Sequence, residues 1–177
     1  MDSEREAVVR PATLDDVPGI ARVHVDAWRE TYADIIAPHI LASQSYERRE
    51  AQWSGALSDP ARRIHLSVMQ VESGAISGFV AVGPEGGVLP DYDGELYAIY
   101  LLQRYQGGGY GRQLFASGAR ALGDKGFRSL VLWVLEANPA RGFYEHLGGS
   151  IVDRKILPVG DEQYPAVAYG WAELPDG

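Results

Sequence analysis

Cysteine is absent from the 177 residues of this chain. Its absence excludes disulfides, thiolate metal ligands and a cysteine nucleophile. The chain also lacks an apolar run of about 18 residues, the length that spans a bilayer. Its charged first residues lack the apolar core of a signal peptide. We therefore expect no membrane association, and a reducing cytoplasm is the location that we predict.

Basic residues are scarcer than acidic ones, with 16 Lys and Arg against 24 Asp and Glu, so the net charge is −8. Because neutralising phosphates takes clustered Lys and Arg, we expect no nucleic-acid partner. A negative charge mainly keeps proteins soluble, so it favours a cationic substrate only weakly. The four histidines do not have the spacing of metal ligands, so no metal site is predicted.

The length and the 46% apolar content predict one globular domain over residues 1–177. Residue periodicity predicts strands at 7–11, 62–71, 75–83, 95–102, 128–136, 150–157 and 165–174. It predicts helices at 17–28, twice within 38–57, at 109–124 and at 138–149. This order favours an α/β (α+β) fold, in which helices cover both faces of a mixed, twisted sheet. The crossover between 95–102 and 128–136 implies one parallel strand pair.

The helix predicted at 138–149 has clear end signals. Asn138 is a preferred N-cap, and Pro139 suits the first helical position. Gly148 and Gly149 are typical of a helix C-terminus.

The stretch LYAIYLLQRYQGGGYGRQLF (96–115) places glycines between a predicted strand and a predicted helix. The first amides of a helix lack intrahelical partners and lie at its positive end, so such a turn favours an anion. The register excludes the dinucleotide pattern G-x-G-x-x-G, and a Walker A loop is excluded because no Lys follows. The remaining pattern is Q-x-x-G-x-G at Gln106, Gly109 and Gly111. By itself it favours a phosphate-bearing ligand no more than a ligand-free turn.

A second stretch, LWVLEANPARGFYEHLGG (132–149), accompanies the glycine turn. Together the two segments resemble motifs A and B of the GNAT superfamily of N-acetyltransferases. The opening VVRPATLDDVPGIARVHVDAWRETY (8–32) resembles the first strand and helix of that family. The sequence departs from the family pattern at Gln103, where many members have Pro, and at Gly149, where an aromatic is common.

The resemblance implies acetyl transfer from acetyl-coenzyme A (acetyl-CoA) to a primary amine by direct attack. It implies a GNAT fold whose central strands, 95–102 and 128–136, splay apart to admit the coenzyme. The pantetheine arm would pair with the backbone of Ile99, Tyr100 and Leu101 like an added strand, and Asn138 would contact the coenzyme. The pyrophosphate would lie on the amides of Gln106, Gly107, Gly108, Gly109, Tyr110, Gly111 and Arg112.

The family pattern also suggests catalytic residues. Tyr144 matches the motif B tyrosine and would donate a proton to the departing thiolate, although it also fits an apolar core stripe. A backbone N–H near Leu101 would stabilise the oxyanion. Glu95 is the first candidate base, with a solvated strand-end charge as its alternative. Asp93, Glu136 and a bridging water are further candidates, and His65 is a weaker one.

The first helices and the last strands build the acceptor pocket in this family. Trp28, Tyr32, Tyr97 and Tyr169 are candidate walls, with ordinary aromatic packing as the alternative for each. The acceptor would be a small-molecule or peptide amine, and a homodimer is common among members. A coenzyme-A-binding sensor without turnover, or an acyltransferase using another acyl-CoA, is the alternative function.

Overall fold

The computed structural model describes residues 7–175. Its strands are β1 (Ala7–Pro11), β2 (His65–Val71), β3 (Ile76–Pro84), β4 (Gly94–Leu101), β5 (Leu130–Leu135), β6 (Ser150–Val159) and β7 (Glu162–Trp171). Its α-helices are α1 (Val17–Tyr32), α2 (Pro38–Ala42), α3 (Tyr46–Ser58), α4 (Tyr110–Asp124) and α5 (Arg141–His146).

The seven strands form one mixed sheet in the order β1-β2-β3-β4-β5-β7-β6. Neighbouring strands are antiparallel except for β4 and β5, which are parallel. The predicted mixed α/β fold is therefore confirmed, including the parallel pair on either side of α4.

Strand β3 shows why the sheet has helices on both faces. Side chains alternate across a strand, and those of β3 are apolar on each side. Val80 and Val82 pack into the core beneath α4, whereas Phe79 and Ala81 pack into the core beneath α1 and α3. Gly118 lets α4 lie close to the sheet, because a Cβ there would lie 2.9 Å from Cγ1 of Val82.

Strands β4 and β5 stay paired for only two residues. Gly94 pairs with Leu130 and Glu95 with Val131, and no further pair follows. Beyond Glu95 the strands diverge, which leaves the β5-facing edge of β4 without a strand partner. On its other edge β4 carries a bulge at Tyr97, because Ala81 and Val82 of β3 pair with Ala98 and Leu96. The predicted splaying of the two central strands is confirmed.

Asp93 holds β4 and β5 together at their paired end. Its carboxylate accepts hydrogen bonds from the amides of Arg128 (3.0 Å) and Ser129 (2.9 Å) and from the Ser129 hydroxyl (2.8 Å). Its own amide donates to the Ser129 Oγ (2.9 Å). Although desolvation opposes ionisation, the donors of Ser129 and Arg128 lower the pKa of Asp93 below its ordinary value.

Several element boundaries differ from the sequence predictions by a few residues, and α5 is one of them. Helix α5 begins at Arg141, not near Pro139. Asn138 nevertheless makes the expected capping bond, because its Oδ1 accepts from the Ala140 amide at 2.8 Å across the preceding turn.

The last hairpin is also tighter than predicted. Strands β6 and β7 extend to within two residues of each other, Gly160 and Asp161. Gly160 has φ of +62°, as a two-residue hairpin turn requires. Pro158 has no backbone N–H, but it does not disturb the strand pairing. Strand β6 is an edge strand, and its free edge has no neighbouring strand that needs a hydrogen-bond donor.

We expect Asp93→Asn to lower the free energy of unfolding by about 1 kcal/mol at pH 7, because a neutral amide accepts these bonds less strongly. A carboxyl with a lowered pKa stabilises the fold above its unfolded pKa and loses that effect as pH falls through the folded pKa. The difference from wild type should therefore shrink below about pH 4. Urea unfolding between pH 7 and pH 3 measures it.

Asp91→Asn, in the same loop, is the matched control and should match wild type throughout. A stability loss for Asp93→Asn that is constant with pH would contradict the assigned role of the carboxylate.

Candidate active site

The divergence of β4 and β5 opens a cleft of about 570 Å³ through the sheet. One end of the cleft meets the glycine turn that precedes α4, and the other meets the C-terminal half of α1. Tyr144 and Phe143 of α5 line it together with Asn138 and Pro139 of the turn before that helix. It brings together the predicted residues Tyr32, Tyr97, Ile99, Tyr100, Leu101, Gln106, Gly107, Gly109, Gly111, Arg112, Asn138 and Tyr144.

The glycine turn has a backbone that other residues adopt poorly. Gly107 and Gly109 have φ of +78° and +84°, in the left-handed region where a side chain is strained. The first bond of α4 runs from the Gln113 amide to the Gly109 carbonyl (3.2 Å). The amides of Gly111 and Arg112 therefore precede the helical hydrogen-bond ladder, as in an anion-binding helix N-terminus.

Gln106 supports this turn differently from the sequence prediction. Its amide, predicted to face a pyrophosphate, donates instead to the Gln103 carbonyl at 3.0 Å. Its side-chain Nε2 donates to the Leu101 carbonyl, also at 3.0 Å. Gln106 thus ties the turn to the end of β4. The exposed part of the glycine turn begins at Gly107. Gly108 and Tyr110 do not line the cleft.

Three tyrosines surround the middle of the cleft. Tyr144 is 6% exposed, and its hydroxyl has no hydrogen-bond partner among residues 7–175. Burial, and secondarily Tyr100, raise the pKa of Tyr144, so the phenol stays protonated at neutral pH. The Tyr100 hydroxyl accepts from Trp28 Nε1 at 2.8 Å. Tyr32 is the third tyrosine. Burial is the main cause of its raised pKa, and the nearby Tyr100 and Tyr144 raise the pKa further.

Tyr32 and Asn138 form a bridge between α1 and the turn before α5. Asn138 Nδ2 donates to the Tyr32 hydroxyl at 2.9 Å, and both residues are less than 9% exposed. Because the Asn138 Oδ1 accepts from Ala140 at the same time, one amide group joins both elements. The bridge thus helps to place α5, which carries Tyr144.

Glu95 lies half-buried where the two strands begin to diverge. Its neighbours Gly94 and Leu96 face α4, so the Glu95 side chain points to the opposite face, toward α1. Burial, followed by the charge of Glu85, raises the pKa of Glu95 to about 6, although Lys155 opposes the shift. A carboxylate with this pKa is suited to accept a proton near neutral pH.

The other candidate bases are engaged elsewhere. Asp93 has a lowered pKa and serves the β4–β5 clamp. Glu136 forms an exposed ion pair with Arg154 (2.7 Å) outside the cleft. His65 contacts the Ser67 hydroxyl (3.0 Å) on β2, also away from the cleft, and burial lowers its pKa. Glu95 does not line the cleft either, but the next residue, Leu96, does. Of the four side chains, Glu95 is therefore the one that adjoins a lining residue and has a raised pKa.

The predicted acceptor walls separate into two groups. Tyr32 and Tyr97 line the cleft, and the Tyr97 hydroxyl donates to the Pro84 carbonyl. Trp28 lies behind Tyr100 and does not line it. Tyr169 is fully buried, and its hydroxyl joins Arg141 and Glu145, so it is a packing residue and not a wall.

Sequence reasoning missed three residues at this site. Trp133 lines the cleft, and the Lys155 ammonium lies 3.8 Å from the centre of its ring. Glu30 lines the cleft on α1, and its carboxylate accepts from the Gln103 amide at 2.8 Å. Only Trp133 carried a signal, as a large aromatic within an otherwise aliphatic strand. The other two depend on contacts between distant segments.

Within residues 7–175, no group of three or more His, Cys, Asp or Glu side chains is arranged to hold a metal ion. In the same range, no helix combines the length and the apolar character needed to cross a bilayer.

Comparison with known proteins identifies a family and several relatives. The model of the Acetyltransferase (GNAT) family matches residues 23–149. The uncharacterized N-acetyltransferase YuaI of Bacillus subtilis (strain 168) is 40% identical over 167 residues, which cover 94% of this chain and 93% of that protein. The ribosomal protein bS18-alanine N-acetyltransferase of Haemophilus influenzae is 34% identical over 102 residues, or 57% of this chain and 66% of that protein.

Solved structures share the fold. The PaiA N-acetyltransferase from Thermoplasma acidophilum, in complex with coenzyme A, superposes with a TM-score of 0.70 at 16% identity. The superposition covers 94% of this chain and 99% of that one.

We expect Tyr32→Phe to lower the free energy of unfolding by about 1–2 kcal/mol, because it leaves the buried Asn138 Nδ2 without its acceptor. In a double-mutant cycle, Tyr32→Phe should cost much less in an Asn138→Ala background. Urea unfolding of the four proteins measures the coupling.

Tyr46→Phe removes the same group from an exposed hydrogen bond to Asp26 and is the matched control. It should change stability by less than about 0.5 kcal/mol. Strictly additive effects of the Tyr32 and Asn138 substitutions would contradict the bridge.

Proposed function

Because the chain belongs to the GNAT acetyltransferase family, whose members are acetyl-CoA-dependent acyltransferases, we propose that it acetylates a primary amine by direct attack on the thioester. One observation carries the proposal: β4 and β5 separate after two paired residues and open a cleft that ends at the glycine turn. That cleft offers a backbone edge to an extended arm and a helix N-terminus to a diphosphate.

The residues present suit acetyl-CoA. Gly107 and Gly109 expose the backbone without side chains, and the amides of Gly111 and Arg112 precede the helical ladder. The β4 edge from Leu96 to Leu101 is unpaired on the side of the cleft, so an extended chain can add to it as a strand does. The Asn138 side chain already forms hydrogen bonds with the Tyr32 hydroxyl and the Ala140 amide. These bonds favour a role for Asn138 in holding the cleft wall in place.

Glu95 and Tyr144 stand on opposite faces of the sheet, which suits two opposite proton transfers. We assign Glu95 to accept the proton that the attacking amine loses, directly or through one water. As the C–N bond forms, a backbone N–H of the unpaired β4 edge stabilises the oxyanion. As the C–S bond breaks, the protonated phenol of Tyr144 donates to the leaving sulfur.

For the acceptor we infer a small molecule or peptide with a primary amine. The Haemophilus influenzae relative is named for acetylating an alanine of a ribosomal protein, an amine substrate of this kind. A panel of free amino acids, polyamines and peptides, followed by thiol release from acetyl-CoA, identifies the acceptor class. Competition by longer acyl-CoAs identifies the acyl group.

Gly109→Glu should weaken acetyl-CoA binding by about tenfold or more, because it places a carboxylate where phosphate is expected. Isothermal titration with acetyl-CoA measures the affinity. Gly126→Glu is a matched control, since Gly126 follows the other end of α4 with a similar φ (+87° against +84°) and equally open surroundings.

Gly126→Glu should bind as wild type does. Equal binding by both variants would show that the glycine turn is not the phosphate site. Failure of the wild-type protein to bind acetyl-CoA would overturn the proposed function.

The turnover rate with the best acceptor should rise with pH through about 6, because Glu95 acts only after its proton has left. Glu95→Gln should remove this acid limb of the pH–rate profile. Only the rise in rate that amine deprotonation causes should then remain. Tyr144→Phe should lower kcat by about a hundredfold across the profile and retain the limb. An unchanged limb in Glu95→Gln would assign the base elsewhere.

A further inference from the structure

Lys155 of β6 directs its ammonium toward Trp133, on the face of the sheet that α1 covers. Its Nζ lies 3.8 Å from the ring centroid of Trp133, a residue that lines the cleft. Among residues 7–175, no carboxylate lies within ion-pair distance of this half-buried ammonium. The face of the Trp133 ring is thus the contact that the structure gives this ammonium.

The register of the sheet brings Lys155, Trp133 and Glu95 together. Lys155 pairs with Ala166 of β7, and Trp133 pairs with Ala168 of the same strand. These two alanines leave room for the long lysine side chain to cross β7 and reach the indole. Glu95 pairs with Val131, which faces the same side of the sheet as Trp133 two residues later.

The electrostatics agree with this placement. Lys155 is the nearby cation that partly offsets the raised pKa of Glu95. A primary amine of the chain itself therefore lies on the same face of the sheet as the proposed base and against Trp133 of the cleft wall, on the side where an external acceptor amine is expected.

We propose that Lys155 is a self-acetylation site of this protein. The inference rests on the proposed function, because it uses the same bound acetyl-CoA and the same base. The Lys155 side chain swings from the Trp133 ring toward the thioester, and the amine reacts within its own chain.

The step balances without any further reactant. The ammonium loses one proton to Glu95, and the neutral Nζ attacks the thioester carbonyl. A C–N bond forms, and the C–S bond breaks. The amine's second proton is transferred to the departing sulfur, which leaves as the thiol. The products are Nζ-acetyl-Lys155 and coenzyme A.

Acetylation would change the acceptor side of the cleft. It removes the positive charge that faces Trp133 and Glu95, and with it the cation–π contact. The modified chain would therefore present a neutral, bulkier side chain where the acceptor enters.

The chain has only two lysines, so the test is simple. The purified protein is incubated with acetyl-CoA alone and analysed by intact mass and by peptide mapping with a protease that cleaves at glutamate. Lys125 is the internal control, since its Nζ lies at an exposed site and donates to the Arg63 carbonyl at 3.2 Å. We expect acetylation of Lys155 to exceed that of Lys125 by at least about tenfold.

The rate constant should not depend on protein concentration, and added coenzyme A should lower it by competition. Lys155→Arg should abolish the modification, Lys125→Arg should leave it unchanged, and Glu95→Gln should slow it. Acetyl-CoA binding to each variant is checked by titration.

Equal labelling of both lysines, or an unmodified Lys155 in a protein that binds acetyl-CoA, would overturn the self-acetylation proposal and leave the proposed function standing. A rate proportional to protein concentration would overturn the reaction within one chain. Absence of acetyl-CoA binding would overturn both proposals.

Discussion

The structure depends on the early end of the pairing between β4 and β5. Two paired residues and the Asp93 clamp keep the strands together at one end. The loss of further interstrand hydrogen bonds leaves one edge of β4 unpaired, which is costly unless another group replaces the missing strand. Under the proposed function, an extended ligand arm replaces it, so the early end of the pairing would account for both the cleft and the surface that binds the arm.

The opening passes through the sheet and joins two different environments. On the α4 side, the glycine turn and Tyr144 provide backbone amides and a buried phenol. On the α1 side, Glu95 and the Trp133–Lys155 pair provide charged groups of both signs. Under the proposed function, the anionic donor would bind from the α4 face of the gap and the acceptor amine would approach from the α1 face. The Tyr32–Asn138 bridge joins the C-terminal end of α1 to the turn before α5.

Local patterns predicted most of the fold, because each depends on neighbouring residues. Periodicity placed a strand at β3 and a helix at α4, and the glycine turn was placed to within one residue of the helix start. Long-range contacts decided between the alternatives that the sequence left open. Asp93 appeared to be a candidate base until Arg128 and Ser129 were found to occupy its carboxylate. Tyr169 appeared to be a pocket wall until its burial against α5 was seen.

By itself, the sequence determined the order of the elements, the glycine turn before a helix start and the resemblance to an acetyltransferase family. These features are carried by residues close together along the chain. Only the tertiary structure decided which carboxylate borders the cleft, which tyrosines surround it and why Lys155 lies against Trp133. Each of those facts depends on strand register and on packing between segments far apart in sequence, and periodicity carries no information about either.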